Sequence, residues 1–307
     1  MHVAEPPRKT VAPPNRHAFA AVVGANVALA FGPWFVRLAD TGPVAAAFWR
    51  IVLAIPFLAI FALASGARPA RLGAGLWWML GAGGIAFAAD LGSWHLGILR
   101  TTLANATLFG NSAILIFPIY GFIVARAWPT RMQGIALGLA AAGGALLMGR
   151  SYQLDPKHLL GDLLCVLAGV LYATYFIVMT RVRNVMAPSP ALALSTIASA
   201  LPLFGFAILL GERIVPGDWS PLIALAIVSQ VIGQGLMIYA LGKLSPLVIG
   251  IALLVQPMVA GTIGWVVYDE TLGLPDLVGV VLVAAALVLV RRGEVAPRAS
   301  EAQGSVT

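Results

Sequence analysis

Apolar residues fall along this chain in ten stretches, each near the 18–25 residues that an α-helix needs to cross a bilayer. The stretches cover roughly residues 18–38, 43–65, 73–98, 102–125, 132–149, 159–180, 191–211, 219–242, 247–268 and 274–290, with short polar joints between them. The pattern predicts an all-α polytopic membrane protein of ten transmembrane helices. Its joints leave no room for a soluble domain, so its chemistry is expected within the membrane.

A shift of 145 residues lays the second half on the first, span for span and without a gap. Gly24 then meets Gly169, Phe31 meets Phe176, Pro43 meets Pro188, and Gly66 meets Gly211. Leu96-Gly97 meets Leu241-Gly242, and Gly134 meets Gly279. Five spans per copy is an odd number, so the second copy would enter the membrane upside down. The predicted architecture is two inverted five-helix repeats, the plan of many secondary transporters. Its parts are a disordered cytoplasmic tail (1–17), a first repeat (18–149), an outer linker (150–158), a second repeat (159–291) and a second disordered tail (292–307).

Composition agrees with this plan. Of 307 residues 60% are hydrophobic and 10% charged, too little charge to cover a soluble surface. The net charge of +7 raises the question of nucleic acid, but its distribution answers it. With the N-terminus inside, 13 Lys and Arg fall on the inner face and 5 on the outer, while Arg50 lies within a span. That bias is the positive-inside rule, with both termini cytoplasmic. The basicity marks topology, and no nucleic-acid partner is expected. The N-terminal residues are Pro-rich and basic with no apolar core, which does not read as a signal peptide. A single cysteine, Cys165, rules out an internal disulfide and a Cys-based metal cluster.

Charges deep in lipid are costly, about 2.5–3.5 kcal/mol at a helix centre on insertion scales. Two stand out, Arg50 in the second span and Asp90 in the third, each roughly 10–12 Å below the outer boundary by helix rise. Equal depth and opposite sign allow two readings: a static salt bridge between helices, or two poles that meet the carboxylate and ammonium of an amino acid. Trp94 lies on Asp90's helical face and can wall a cavity. His95 is either a proton relay beside an acid or an interfacial histidine with its tip in headgroup water. Asn111 aligns with Gln256, and Gln234 with a neighbour of Asp90, which suggests a polar path lined from both halves. Tyr172 and Tyr175 offer an aromatic wall or simple packing. Glycine clusters (81–84, 143–144, 233 and 235) permit close helix approach. Pro33, Pro56, Pro118, Pro202 and Pro257 mark possible bends or hinges.

The run SQVIGQGLMIYALGKLSPLVIGIALLVQPMVAGTIGWVVYDETLGLPDLVG, with Pro257, Glu270 and Gly279, resembles the late-repeat pattern of EamA-type transporters of the drug/metabolite transporter superfamily. In the first half AADLGSWHLGILRTTLANATLFGNSAILIFP resembles a common bacterial branch, and Phe48-Trp49-Arg50 resembles the family's aromatic-Arg element. Ala125 and Ser112 depart from the first-copy pattern, where Glu270 and Pro257 predict an acid and a proline. The resemblance spans about residues 18–291 and implies a bacterial inner-membrane exporter of a small metabolite, with substrate class open.

The expected function is secondary transport by alternating access, with protons or the substrate's own gradient as driving force. The expected pathway residues are Arg50, Asp90, Trp94, His95, Asn111, Tyr172, Tyr175, Gln234 and Gln256, with no cofactor and no metal. Other carriers remain open, although a nucleotide sugar would want several deep cations and only Arg50 qualifies. No Walker motif, HExxH, GxSxG or deep carboxylate dyad occurs, which disfavours ATP fuel and intramembrane hydrolysis. No ring of charge or filter repeat suggests a channel.

Overall fold

The computed structural model describes residues 16–66, 72–98, 100–101, 109–110, 112–149, 156–268 and 273–295. All regular structure in them is helical. Eight helices are long and apolar enough to cross a membrane. They are α1 (Arg16–Leu38), α2 (Pro43–Ala64), α3 (Ala74–Ile98), α6 (Pro156–Arg183), α7 (Pro188–Leu209), α8 (Ser220–Leu241), α9 (Pro246–Val267) and α10 (Leu274–Arg291). Two shorter apolar helices, α4 (Ala113–Ala125) and α5 (Arg131–Leu147), lie between α3 and α6. Most of the predicted first part of the fourth span, with Asn105 and Asn111, lies outside the described residues, as does Glu270.

Polarity is distributed as a bilayer requires. Large apolar side chains such as Ile60, Leu63, Ile123, Leu201 and Val281 point outward, while Asn26, Arg50, Asp90, Ser199, Gln230 and Gln234 are buried. An outer surface of that kind suits hydrocarbon, and the polar groups find neighbours only within the bundle.

The halves pack on each other rather than side by side. α3 lies against α6 and α7, α8 against α1 and α2, and α2 against α7. α4 lies against α9 and α5 against α10. Gly42 sits beside Glu212 and Phe48 beside Phe204, so α2 and α7 run antiparallel. α5 and α10 cross where Gly143 and Gly279 face each other: a Cβ on either would lie within 2.9 Å of the other's carbonyl oxygen. Of the glycine clusters, Gly84 and Gly233 also sit in tight contacts, whereas Gly81 faces open space.

Positions 145 residues apart share backbone detail. Gly66 and Gly211 both adopt positive φ, at 75° and 65°, directly after α2 and α7. Their amides donate to the carbonyls of Leu63 and Ile208, which are also 145 apart. Such a left-handed stop suits glycine, which has no Cβ to clash. At the other end of these helices, Gly42 and Ala187 share an extended cap, each followed by proline.

Three helices depart from regular α geometry. α1 breaks at Phe31, with Pro33 in the first turn of its second segment. α9 breaks between Ala252 and Val255, just before Pro257. α8 is wound as a π-helix over Leu225–Gln234. Wide π turns are rare and collect at functional sites. All three irregular stretches contribute to or adjoin the cavity described below.

At one end of the bundle the α1–α2 loop is clamped to the α7–α8 loop. Glu212 accepts hydrogen bonds from the Val44 and Ala45 amides at 3.3 and 2.7 Å, capping the start of α2. Asp40 accepts from the Gly217 amide at 2.8 Å and pairs with Arg213 at 3.4 Å. The Trp49 indole donates to the Ile214 carbonyl at 2.7 Å.

Candidate functional site

The bends and the π-helix surround a cavity of about 110 Å³ between the halves. At ~10–15 Å³ of such volume per water, it holds several waters or a small solute. Arg50, Asp90 and Trp94 line it from the first half; Tyr172, Gln234 and Gln256 line it from the second. Six of the expected pathway residues therefore share one wall. Asn111 lies outside the described residues.

Arg50 enters from α2. Its Nε donates to Oε1 of Gln230 on α8 at 3.1 Å, and Gln230 Nε2 donates to Thr196 Oγ1 on α7 at 3.1 Å. Its guanidinium also lies 5.8 Å from the centre of the Phe87 ring, within cation–π range. The cation is thus oriented by an uncharged clamp from the second half.

Asp90 comes from α3. Both line the cavity, but no direct ion pair within 4 Å joins Asp90 to Arg50. Among the described residues Asp90 has no hydrogen-bond partner. The two charges are separate poles of one chamber.

Around them, the Tyr172 hydroxyl donates to Gln234 Oε1 at 3.3 Å. Gln234 Nε2 is buried without a partner and offers free donors. Gln256 Nε2 donates to Asn26 Oδ1 at 2.8 Å, tying α9 to α1 at the break in each helix's neighbourhood. Trp94 lies against Gly110, where a Cβ would sit 2.9 Å from the indole nitrogen. Only glycine lets the chain approach the ring so closely.

Two expected residues stand behind the wall. Tyr175 is fully buried and stacks on Phe87 with ring centres 4.7 Å apart. His95 is 1% exposed, so the interfacial reading of this histidine is corrected: its ring is inside the bundle. Nδ1 lies 2.5 Å from the Leu91 carbonyl oxygen, which assigns the proton to Nδ1 and leaves buried Nε2 unpartnered.

Phe87 is not among the pathway residues expected from the sequence, and Gln230 is expected there only as a deep polar residue bonding between helices. Phe87 had a usable signal, since Phe87, Asp90 and Trp94 follow the i, i+3, i+7 spacing of one helical face. Gln230 is legible as a polar amide inside an apolar span, but its partners, Arg50 and Thr196, depend on the π winding of α8. Among the described residues no three His, Cys, Asp or Glu side chains gather as a metal site.

Eight long apolar helices around a polar chamber make this a multi-pass membrane protein. The profile of the EamA-like transporter family, which belongs to the drug/metabolite transporter superfamily, matches residues 159–292, the second half of the chain. A search of curated protein sequences finds no match. A solved structure titled only "Crystal structure of protein" has a similar fold, with a TM-score of 0.76 at 14% identity. The likeness covers 90% of this chain and 96% of that one.

Proposed function

We propose that the protein is a secondary carrier for a small zwitterionic metabolite of the amino-acid class. The substrate's carboxylate meets Arg50 and its ammonium meets Asp90. The observation that carries this reading is that a basic and an acidic side chain line one small cavity without a direct ion pair between them. Tyr172, Gln234 and Gln256 supply neutral hydrogen bonds, and Trp94 and Phe87 supply apolar walls.

The scaffold is two inverted five-helix repeats, ten spans in all, rocking about the cavity. Support comes from the antiparallel pairing of α2 with α7 and the matching stops at Gly66 and Gly211. The α1–α2/α7–α8 clamp lies on the outer face in this topology, where the charge bias places both termini in the cytoplasm. The resemblance to a bacterial branch favours an inner-membrane exporter. Coupling to protons would draw on Asp90 and His95. A carrier for a different solute class is the alternative, and an intramembrane enzyme or channel has less support.

The deciding experiment is uptake and counterflow in proteoliposomes against an amino-acid and metabolite panel, with and without a pH gradient. Saturable counterflow of a zwitterion, lost in Arg50→Ala and Asp90→Asn proteins that remain folded, is the expected result. Full activity in either variant overturns the assignment. Solute flux without saturation or counterflow would indicate a channel instead.

A further inference from the structure

A second hollow lies far from the transport chamber, on the outer flank between α4 and α5. These helices are consecutive, yet each packs mainly elsewhere: α4 on α9 and α6, α5 on α10. The gap between them is an apolar groove of about 710 Å³. That falls within the ~300–1,000 Å³ typical of ligand sites. Its walls include Leu115, Ile119, Phe122 and Leu137, and its mouth is formed by Arg126 and Trp128.

The dimensions suit one kind of occupant. Leu115 lies eleven residues before Arg126, and Ala141 ten residues after the first residue of α5. At 1.5 Å rise per residue the groove is roughly 15 Å deep. That is about half of a ~30 Å hydrocarbon core, the depth of one leaflet. Charge selects further. No Asp or Glu occurs from residue 113 to residue 149, and Arg126 makes no ion pair or hydrogen bond with a described side chain. Arg126 caps α4 in a left-handed conformation with φ of 50°, at a position where glycine is the usual residue. Trp128 beside it is 94% exposed, as an aromatic anchor at headgroup level would be.

We propose that this groove binds an anionic phospholipid of the leaflet next to the α4–α5 loop. One acyl chain lies between α4 and α5, and the phosphate is held by the Arg126 guanidinium, whose planar fork suits phosphate oxygens. The site is independent of the transported solute and of which charges line the central chamber.

The structure supplies a clean blocking variant. A Cβ on Gly138, which lines the groove, would meet nothing within 4 Å. A side chain at this position starts into open space, so Gly138→Phe is the variant chosen to fill the groove. The full chain, purified and delipidated, is titrated with phosphatidylglycerol or phosphatidylcholine of identical acyl chains, and bound lipid is counted by native mass spectrometry. The expected result is one tight phosphatidylglycerol, with phosphatidylcholine weaker by about fivefold, the scale of one basic side chain acting on an anionic headgroup. Arg126→Gln removes the headgroup preference, and Gly138→Phe removes the bound lipid, both with unchanged melting temperature. Equal binding of the two lipids, or lipid retention in Gly138→Phe, overturns the proposal. Efficient cross-linking between copies through cysteines placed at Ile119 in the lipid-loaded protein also overturns it, because a second copy would then cover the groove.

Discussion

Arg50 Nε donates to Gln230 Oε1 at 3.1 Å, so the buried cation of the first half is held by an amide of the second. A hydrogen bond to a charged group contributes about 1.5–3 kcal/mol. Because the partner is neutral, the guanidinium keeps its charge for a ligand. Removing the clamp is therefore predicted to cost stability and to loosen the site together. Gln230→Ala should lower the thermal midpoint in detergent and raise the apparent KM for substrate. An unchanged melting curve with normal KM would show that the clamp is dispensable.

Asp90 should behave in the opposite way to Arg50 in a stability assay. A buried carboxylate without a partner is destabilising in itself, so Asp90→Asn is expected to melt at the same temperature or higher. Transport of a zwitterion by that variant should fall by tenfold or more, on the order of 1.4 kcal/mol of lost recognition. A large drop in melting temperature would instead assign Asp90 a structural role.

Glu212 caps the start of α2 across the two halves. N-terminal caps of this kind contribute ~0.5–2 kcal/mol. Glu212→Ala should lower stability by that amount and expose the α1–α2 loop, read as faster thiol labelling of a cysteine placed at Thr41. Gly42→Ala should reproduce the effect, because its Cβ would lie 2.4 Å from the Glu212 side chain. Labelling no faster than in the wild type would show that the loops are held by other contacts.

Gly110 tests whether Trp94 shapes the chamber. An alanine there would press on the indole nitrogen at 2.9 Å and push the ring towards the cavity. Gly110→Ala should reduce uptake of bulky substrates more than of glycine-sized ones, measured by competition in counterflow. Equal loss for all sizes would argue for a general packing defect.

His95 separates proton coupling from substrate binding. Its ring is behind the cavity wall, so His95→Phe, which keeps an aromatic in the core, should leave counterflow intact. If the imidazole relays protons, the stimulation of uptake by a pH gradient disappears in that variant. Persistence of the stimulation would exclude the relay.

The sequence by itself determined that the described chain is helical, where its eight long apolar helices run, and that Arg50 and Asp90 lie within two of them. Those properties follow from local composition: a length of apolar chain, the short polar joints, and the cost of placing charge in hydrocarbon. Predicted spans such as 43–65 and 219–242 fall within a residue of Pro43–Ala64 and Ser220–Leu241. Only the tertiary structure decided which polar groups meet. It gave Arg50 to Gln230 rather than Asp90, set Tyr175 and His95 behind the wall, and brought Phe87 to it. Such choices depend on how each helix is rotated about its axis, on the break at Phe31 and on the π turns of α8. These arise from packing between segments far apart in sequence, 180 residues for Arg50 with Gln230 and 230 for Asn26 with Gln256, and no local window contains them.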